Sequence, residues 1–185
     1  MGSKVRFSYI GRWILMAGLL ALLLGVRDSE SGSAGLQTAA RTKAASDFVL
    51  PALDGTHVRL RSLRGKVILL NFWATWCSPC RYEMPSMETL YNRFKGQGFE
   101  VLAVSIDSKG KEAVASFAKE LNLTFPILLD RDMAVMAQLG VRGLPTTYLL
   151  DRNGFIAQVA VGPKDWAGKE GSDLVRGLIS ERGQK

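Results

Sequence analysis

Cys77 and Cys80 are the only cysteines in a chain of 185 residues. Their C-x-x-C spacing is the feature most able to do chemistry. Two thiols three positions apart can run disulfide exchange: one attacks a disulfide and the other resolves the mixed disulfide that forms. A strand-like run, Val67-Ile68-Leu69-Leu70-Asn71-Phe72, stands directly before the pair, and a helical pattern from about Pro79 to Phe94 follows it. Cys77 therefore falls at or just before the first helical residue. Pro79 suits a first turn, where a missing N–H costs nothing. The free N–H groups and the dipole of a helix N-terminus favour an anion. A thiolate at Cys77 is such an anion, so its pKa is expected to fall from the free value of about 8.5. Cys80, one turn on, is placed to attack a mixed disulfide at Cys77.

Two other readings of the pair exist. A purely structural disulfide closing so short a loop stabilises little. A metal site lacks a second cysteine pair, and His57 is the only histidine. A cuprous ion held by the pair and an outside ligand stays open as an alternative, which would make the chain a copper-delivery or oxidase-assembly protein. A third class, a peroxide-consuming enzyme, places Thr three residues before its reactive cysteine. Here Thr75 lies two before Cys77.

The elements that must position the pair can be read in order. Phe48–Leu50 and His57–Leu60 flank Asp54-Gly55 and predict a hairpin. His57 reads as a solvated turn residue. After the cysteines, Cys80, Met84, Met87, Leu90, Tyr91 and Phe94 form an apolar stripe of helical period, with Pro85 expected to kink the helix and Gly96 and Gly98 to end it. Glu100–Asp107 predicts a strand, Lys111–Leu121 an amphipathic helix, Phe125–Asp130 a short strand and Met133–Leu139 a short helix. Thr146–Leu150 and Phe155–Val161 predict a second hairpin across Asp151–Gly154, and Ser172–Ile179 a last helix. The alternation implies an α/β sheet, parallel in the middle and antiparallel at one edge. Glu83 stands out on this pattern. On a helical wheel it falls inside the arc of Cys80, Met87 and Leu90, while Arg81, Glu88, Arg93 and Lys95 fall outside. A carboxyl group on a core-facing stripe is costly unless it has a task.

Ahead of this domain the sequence changes character. Lys4, Arg6 and Arg12 precede an uncharged run from Trp13 to Val26. A basic segment before an apolar one is an export signal. Residues 1–26 read as an uncleaved signal anchor, with cleavage near Ser31–Ala34 as the alternative. The positive-inside rule keeps the N-terminus cytoplasmic and exports the rest. Residues 27–46, rich in Ser, Gly, Ala and Thr, read as a flexible tether, and residues 47–185 as the folded domain. The formal net charge is +7, and the leader and tether carry most of the excess. No Lys/Arg run with interleaved aromatics appears, which argues against nucleic-acid binding.

Residues 47–185 resemble the thioredoxin fold, and within it the membrane-tethered TlpA/ResA-like thiol–disulfide oxidoreductases of bacteria, of the AhpC/TSA-redoxin branch. That group includes the cytochrome c maturation reductases. The residues that carry the likeness are Phe72-Trp73-Ala74-Thr75-Trp76-Cys77-Ser78-Pro79-Cys80, Glu83, Pro85 and Gly143-Leu144-Pro145-Thr146-Thr147. The resemblance implies a central mixed β-sheet flanked by helices, an N-terminal β-hairpin, and an inserted helix and strand around residues 111–130. It implies that Cys77 and Cys80 form a redox-active disulfide and that Glu83, with them, is catalytic. It implies that Trp76, Leu144 and Pro145 meet the substrate, with Pro145 cis and facing the cysteines. Cytosolic thioredoxins carry a buried Asp where this chain has Asn71, so a proton-transfer role for Asn71 does not carry over. The implied activity is reduction of disulfides in exported client proteins, such as apocytochrome c, on the periplasmic side of the cell membrane. A membrane electron donor would re-reduce the pair, and no organic cofactor or metal is needed.

Overall fold

A computed structural model describes residues 43–108 and 110–181. The anchor expected at 1–26 and most of the expected tether lie outside them. No helix among the described residues is long and apolar enough to cross a membrane.

The sheet is built around one strand. β3 (Val67–Trp73) has all seven residues buried, as expected for an apolar run enclosed on both faces. It lies at the centre of a five-stranded sheet with β4 (Phe99–Ser105) and β5 (Ile127–Leu129) on one side and β6 (Thr146–Leu150) and β7 (Ile156–Val161) on the other. β4 is parallel to β3, and β5 is parallel to β4. β6 is antiparallel to β3, and β7 to β6. The antiparallel half thus begins at the central strand, rather than being confined to an edge as the sequence suggested. The hairpin at residues 151–154 can only return antiparallel, but nothing local to it says which strand its first arm joins.

The predicted N-terminal hairpin is present. β1 (Val49–Pro51) pairs antiparallel with β2 (His57–Arg59). Asp54 accepts from the Thr56 backbone N–H at 2.9 Å and its hydroxyl at 2.7 Å, closing the turn. The hairpin joins the main fold through a bridge between Ala52 and Leu128. Before it, Ala44 bridges Phe155 and Ala45 is buried, so the last residues of the expected tether already lie against the domain.

Four α-helices complete the described chain: α1 (Ser78–Phe94), α2 (Lys111–Glu120), α3 (Ala134–Gln138) and α4 (Lys169–Ser180). α1 buries Cys80, Glu83, Met84, Met87, Leu90 and Phe94. Tyr91, expected in that stripe, is half-buried and packs edge-on against Phe125. α1 continues through Pro85 as one helix. It gives way to a 3-10 turn over Lys95–Gln97 and ends at Gly98, whose φ of 82° suits a residue without Cβ. The inserted α2 lays Phe117 on Trp73 with ring centroids 4.8 Å apart, and Arg81 of α1 pairs with Glu120.

α4 starts at Lys169, three residues ahead of the sequence expectation. Gly171 explains the difference. A glycine inside a helix normally costs stability, but here the helix backbone sits against the Trp166 backbone, and a Cβ at Gly171 would lie 2.3 Å from the Trp166 carbonyl oxygen. Gly177, on the same helix, has nothing within 4 Å of its would-be Cβ. We expect Gly171→Ala to destabilise the domain by about 1–3 kcal/mol through overpacking, and Gly177→Ala to stabilise it by about 0.5–1 kcal/mol through helix propensity. Urea midpoints of the two variants check this; equal shifts would show that the close approach at Trp166 carries no energetic weight.

Candidate active site

β3 delivers the chain to the cysteines, and two neighbours fix the loop between Trp73 and Cys77. The Ile106 N–H donates to the Trp73 carbonyl at 3.0 Å. The carboxylate of Asp107 accepts from the Thr75 backbone N–H at 2.8 Å and from its hydroxyl at 2.6 Å. Asp107 is itself buried and held by the Ser105 hydroxyl at 2.8 Å. The loop therefore reaches α1 in one defined geometry. Cys77 is the N-cap of that helix, and its sulfur accepts from the Cys80 backbone N–H at 3.3 Å. An N-cap acceptor is what the free donors of a first turn require. The two sulfurs are joined, with Cα atoms 5.3 Å apart. They are enclosed unequally: Cys77 keeps 6 % exposure and Cys80 none.

Outside Cys77 lies a groove of about 450 Å³. Trp76, itself 60 % exposed, lines it together with Cys77, Ile106, Met136, Arg142 and Leu144. Met136 comes from α3, whose first turn is tied down by buried Asp130: the N–H groups of Val135 and Met136 donate to its carboxylate at 3.2 and 2.8 Å. The Leu144–Pro145 peptide is cis. Pro145 is buried and does not itself line the groove, whereas Leu144 does. Its segment is fixed by the Thr146 hydroxyl, which donates to the Gly143 carbonyl at 2.8 Å, and by the Gly162 N–H, which donates to the Pro145 carbonyl at 2.9 Å.

Beneath the pair, on the buried face of α1, sits Glu83 at 2 % exposure. Its carboxyl is matched by donors from two other parts of the fold. Asn71 Nδ2 on β3 donates to Oε1 at 2.7 Å and also to the Thr147 hydroxyl on β6 at 2.9 Å. The Lys164 backbone N–H donates to Oε2 at 3.3 Å. The Ser86 hydroxyl, which donates to the Glu83 carbonyl at 2.7 Å, accepts from the Trp166 N–H at 3.1 Å and so holds the same loop. Burial pushes the Glu83 carboxyl up to about 7, against the lowering effect of its donors from Asn71 and Lys164 and of the nearby Trp166 indole. The indole N–H itself has no hydrogen-bond partner within normal distance. Loss of solvation dominates because it penalises the ionised form outright. A carboxyl poised there exchanges protons at neutral pH.

The structure thus brings Cys77, Cys80 and Glu83 onto one helix, with Trp76 and Leu144 around the outer sulfur. It adds residues that pattern reading passed over. Asn71 was the one polar residue in an otherwise apolar strand, and that interruption was its signal. Asp107 and Asp130 each directly follow a buried strand or lie two residues past it. Arg142 and the Lys164 N–H carry no sequence signal at all. His57, the one imidazole considered for copper, is exposed on β2, and no group of three or more His, Cys, Asp or Glu among the described residues is arranged to hold a metal ion.

Residues 42–159 match the AhpC/TSA family. The chain belongs to that family. Its relatives include the thiol–disulfide oxidoreductase ResA of Bacillus subtilis, 37% identical over 86% of this chain and 88% of the relative. ResA of Geobacillus kaustophilus is 48% identical over 64% of this chain and 67% of its own length. Among solved structures, a thiol:disulfide interchange protein of the DsbE type from Chlorobium tepidum superposes with a TM-score of 0.70 at 32% identity, covering 75% of this chain and 96% of that one. The chain is a ResA-like thiol–disulfide oxidoreductase with a thioredoxin-like fold.

The raised pKa of Glu83 has a consequence for stability. The folded value of about 7 lies above the ordinary 4.5. The stability that protonated Glu83 contributes is therefore fully present below about pH 4.5 and is lost as pH rises through 7. Glu83→Gln does not titrate and, like the protonated acid, keeps one carbonyl oxygen, enough for the shorter bond from Asn71. We expect the oxidised variant to gain on the parent between pH 5 and pH 8 in urea unfolding; a difference that does not change with pH would mean that the carboxyl is not perturbed in the fold.

Proposed function

We propose that this oxidoreductase works as a membrane-tethered reductase of disulfides in exported client proteins. The observation that carries the reading is the unequal enclosure of the two sulfurs, with the buried carboxyl of Glu83 one turn past the inner one. A sulfur that borders the groove can meet a client, while a fully covered sulfur can meet only the intermediate that forms at the first. Reduction of the Cys77–Cys80 bond by a membrane dithiol donor supplies two electrons and two protons. The Cys77 thiolate, favoured by its helix N-terminus, then attacks one sulfur of the client disulfide. A Cys77–client bond forms, and the other client sulfur leaves as a thiolate and takes up a proton. Glu83 accepts the proton of Cys80. The Cys80 thiolate attacks the Cys77 sulfur, restores the bond seen here and releases the second client thiolate, to which the proton passes. Trp76 and the segment around Leu144 and Pro145 hold the client as an extended chain beside Cys77.

The tether is inferred from sequence: basic residues before the uncharged run Trp13–Val26, followed by a linker that lets the domain work close to the membrane surface. Export with the N-terminus inside places the cysteines on the periplasmic side, where client cystines form. Apocytochrome c is the client that the resemblance to the cytochrome c maturation reductases suggests.

Two experiments test this. In cells producing Cys80→Ala, the Cys77 mixed disulfide should persist, so a client–enzyme adduct accumulates in the membrane fraction and collapses on reduction. Adducts formed by Cys77→Ala instead would reverse the two roles, and adducts found only in soluble fractions would remove the tether. In single-turnover kinetics with a small disulfide, Glu83→Gln should leave the first step intact and slow resolution on the order of a hundredfold, the range of general base catalysis, while erasing its dependence on pH near 7. An unchanged resolution rate and pH profile would take Glu83 out of the proton path.

A further inference from the structure

The groove beside Cys77 is largely apolar, with Ser78 and Arg142 as its polar side chains. Ile106, Met136 and Leu144 offer hydrocarbon, Trp76 an exposed ring, and Arg142 is the only charged residue among those that line it. Arg142 is exposed, and no hydrogen bond or ion pair engages its guanidinium among the described residues. Five other arginines of the domain are occupied. Arg59, Arg81 and Arg176 hold carboxylates, and Arg93 and Arg152 hold carbonyl oxygens of neighbouring segments. A guanidinium left free two residues before Leu144, in a groove with no acidic side chain, meets a client with its donors unspent. Its planar fork matches a carboxylate.

We propose that Arg142 reads a carboxylate on the client, so that the groove selects extended segments carrying Asp or Glu, together with an apolar side chain, close to the cystine they present. The inference rests on the reductase reading above and names the substrate class of that same site. The apolar residue would sit against Met136 and Leu144, and the acidic one would reach Arg142. Because the contact is solvent-exposed, it should act modestly, and mostly through encounter rate and register. It should also weaken as salt screens it. The competing role for Arg142 is to stabilise the Cys77 thiolate. That role would help every client equally, whatever its charge.

The test uses the reduced full chain in detergent and three synthetic peptides, each with a single cysteine disulfide-linked to a small thiol and an adjacent Glu, Gln or Lys. Rate constants of reduction are measured at low salt and at high salt. The expected order is Glu, then Gln, then Lys. Each step should be worth about threefold at low salt, in keeping with an exposed ion pair, and should shrink at high salt. Arg142→Gln should level the three rates, and Arg142→Glu should invert the order. Equal rates for the three peptides in the parent would overturn the proposal, as would a preference that survives Arg142→Gln. A uniform loss across all peptides in Arg142→Gln would also overturn it, assigning Arg142 to the thiolate instead. If the parent reduces none of the peptides, the reductase reading fails first and this inference goes with it.

Discussion

A carboxyl group shut away from water must be met by donors or stay neutral, and Glu83 draws much of the fold around that requirement. Asn71 reaches it from the central strand, and through the same amide holds Thr147 on the next strand. Lys164 meets it from the loop leading to α4, and Ser86 pins that loop a second time. The cysteine helix, the two middle strands of the sheet and the approach to the last helix are thus tied at one buried acid. Two donors do not repay the full loss of hydration, which leaves the carboxyl balanced near neutrality. The same desolvation that costs stability at high pH is what raises the carboxyl into the range where the proposed proton transfer from Cys80 would need it.

Buried aspartates do the complementary work of fixing loops. Asp107 follows β4 and holds Thr75 ahead of the cysteines. Asp130 follows β5 and holds the first turn of α3, which carries Met136 to the groove. Both strands run parallel to β3, so both aspartates lie at the sheet edge where β3 gives way to α1. Asp151 follows the antiparallel β6 and accepts from the N–H groups of Asn153 and Phe155, closing the turn at the other end. A short acid just past a buried strand gives otherwise unpaired backbone N–H groups an acceptor where the ladder stops. The redox edge is therefore rigid in its supports while its outer sulfur stays reachable.

Membership in the AhpC/TSA family and likeness to ResA and DsbE-type proteins fit this division of labour. The span that matches the family contains the junction of β3 and α1 with its two sulfurs and its acid. The groove is built separately, from α3 and the residues before Pro145, whose side chains the sulfur chemistry itself does not require.

The sequence alone determined the elements and the chemistry. A seven-residue apolar run, a C-x-x-C pair with Pro79 and a helical stripe that includes Glu83 specify a strand, a helix start and a core-facing acid, because each rests on local periodicity or local backbone preference. It did not determine what meets that acid. Asn71 and Glu83 are 12 residues apart, and Lys164 is 81 from Glu83; such pairings exist only once the sheet has ordered its strands. The longer α4 was hidden because the pattern of residues does not show that Gly171 lets the helix backbone lie against the Trp166 backbone. The mixed order of the sheet and the one free guanidinium in the groove were likewise settled by tertiary packing. Strand neighbours are chosen by how faces are buried, and a surface arginine shows what it is for only when the residues around it are in place.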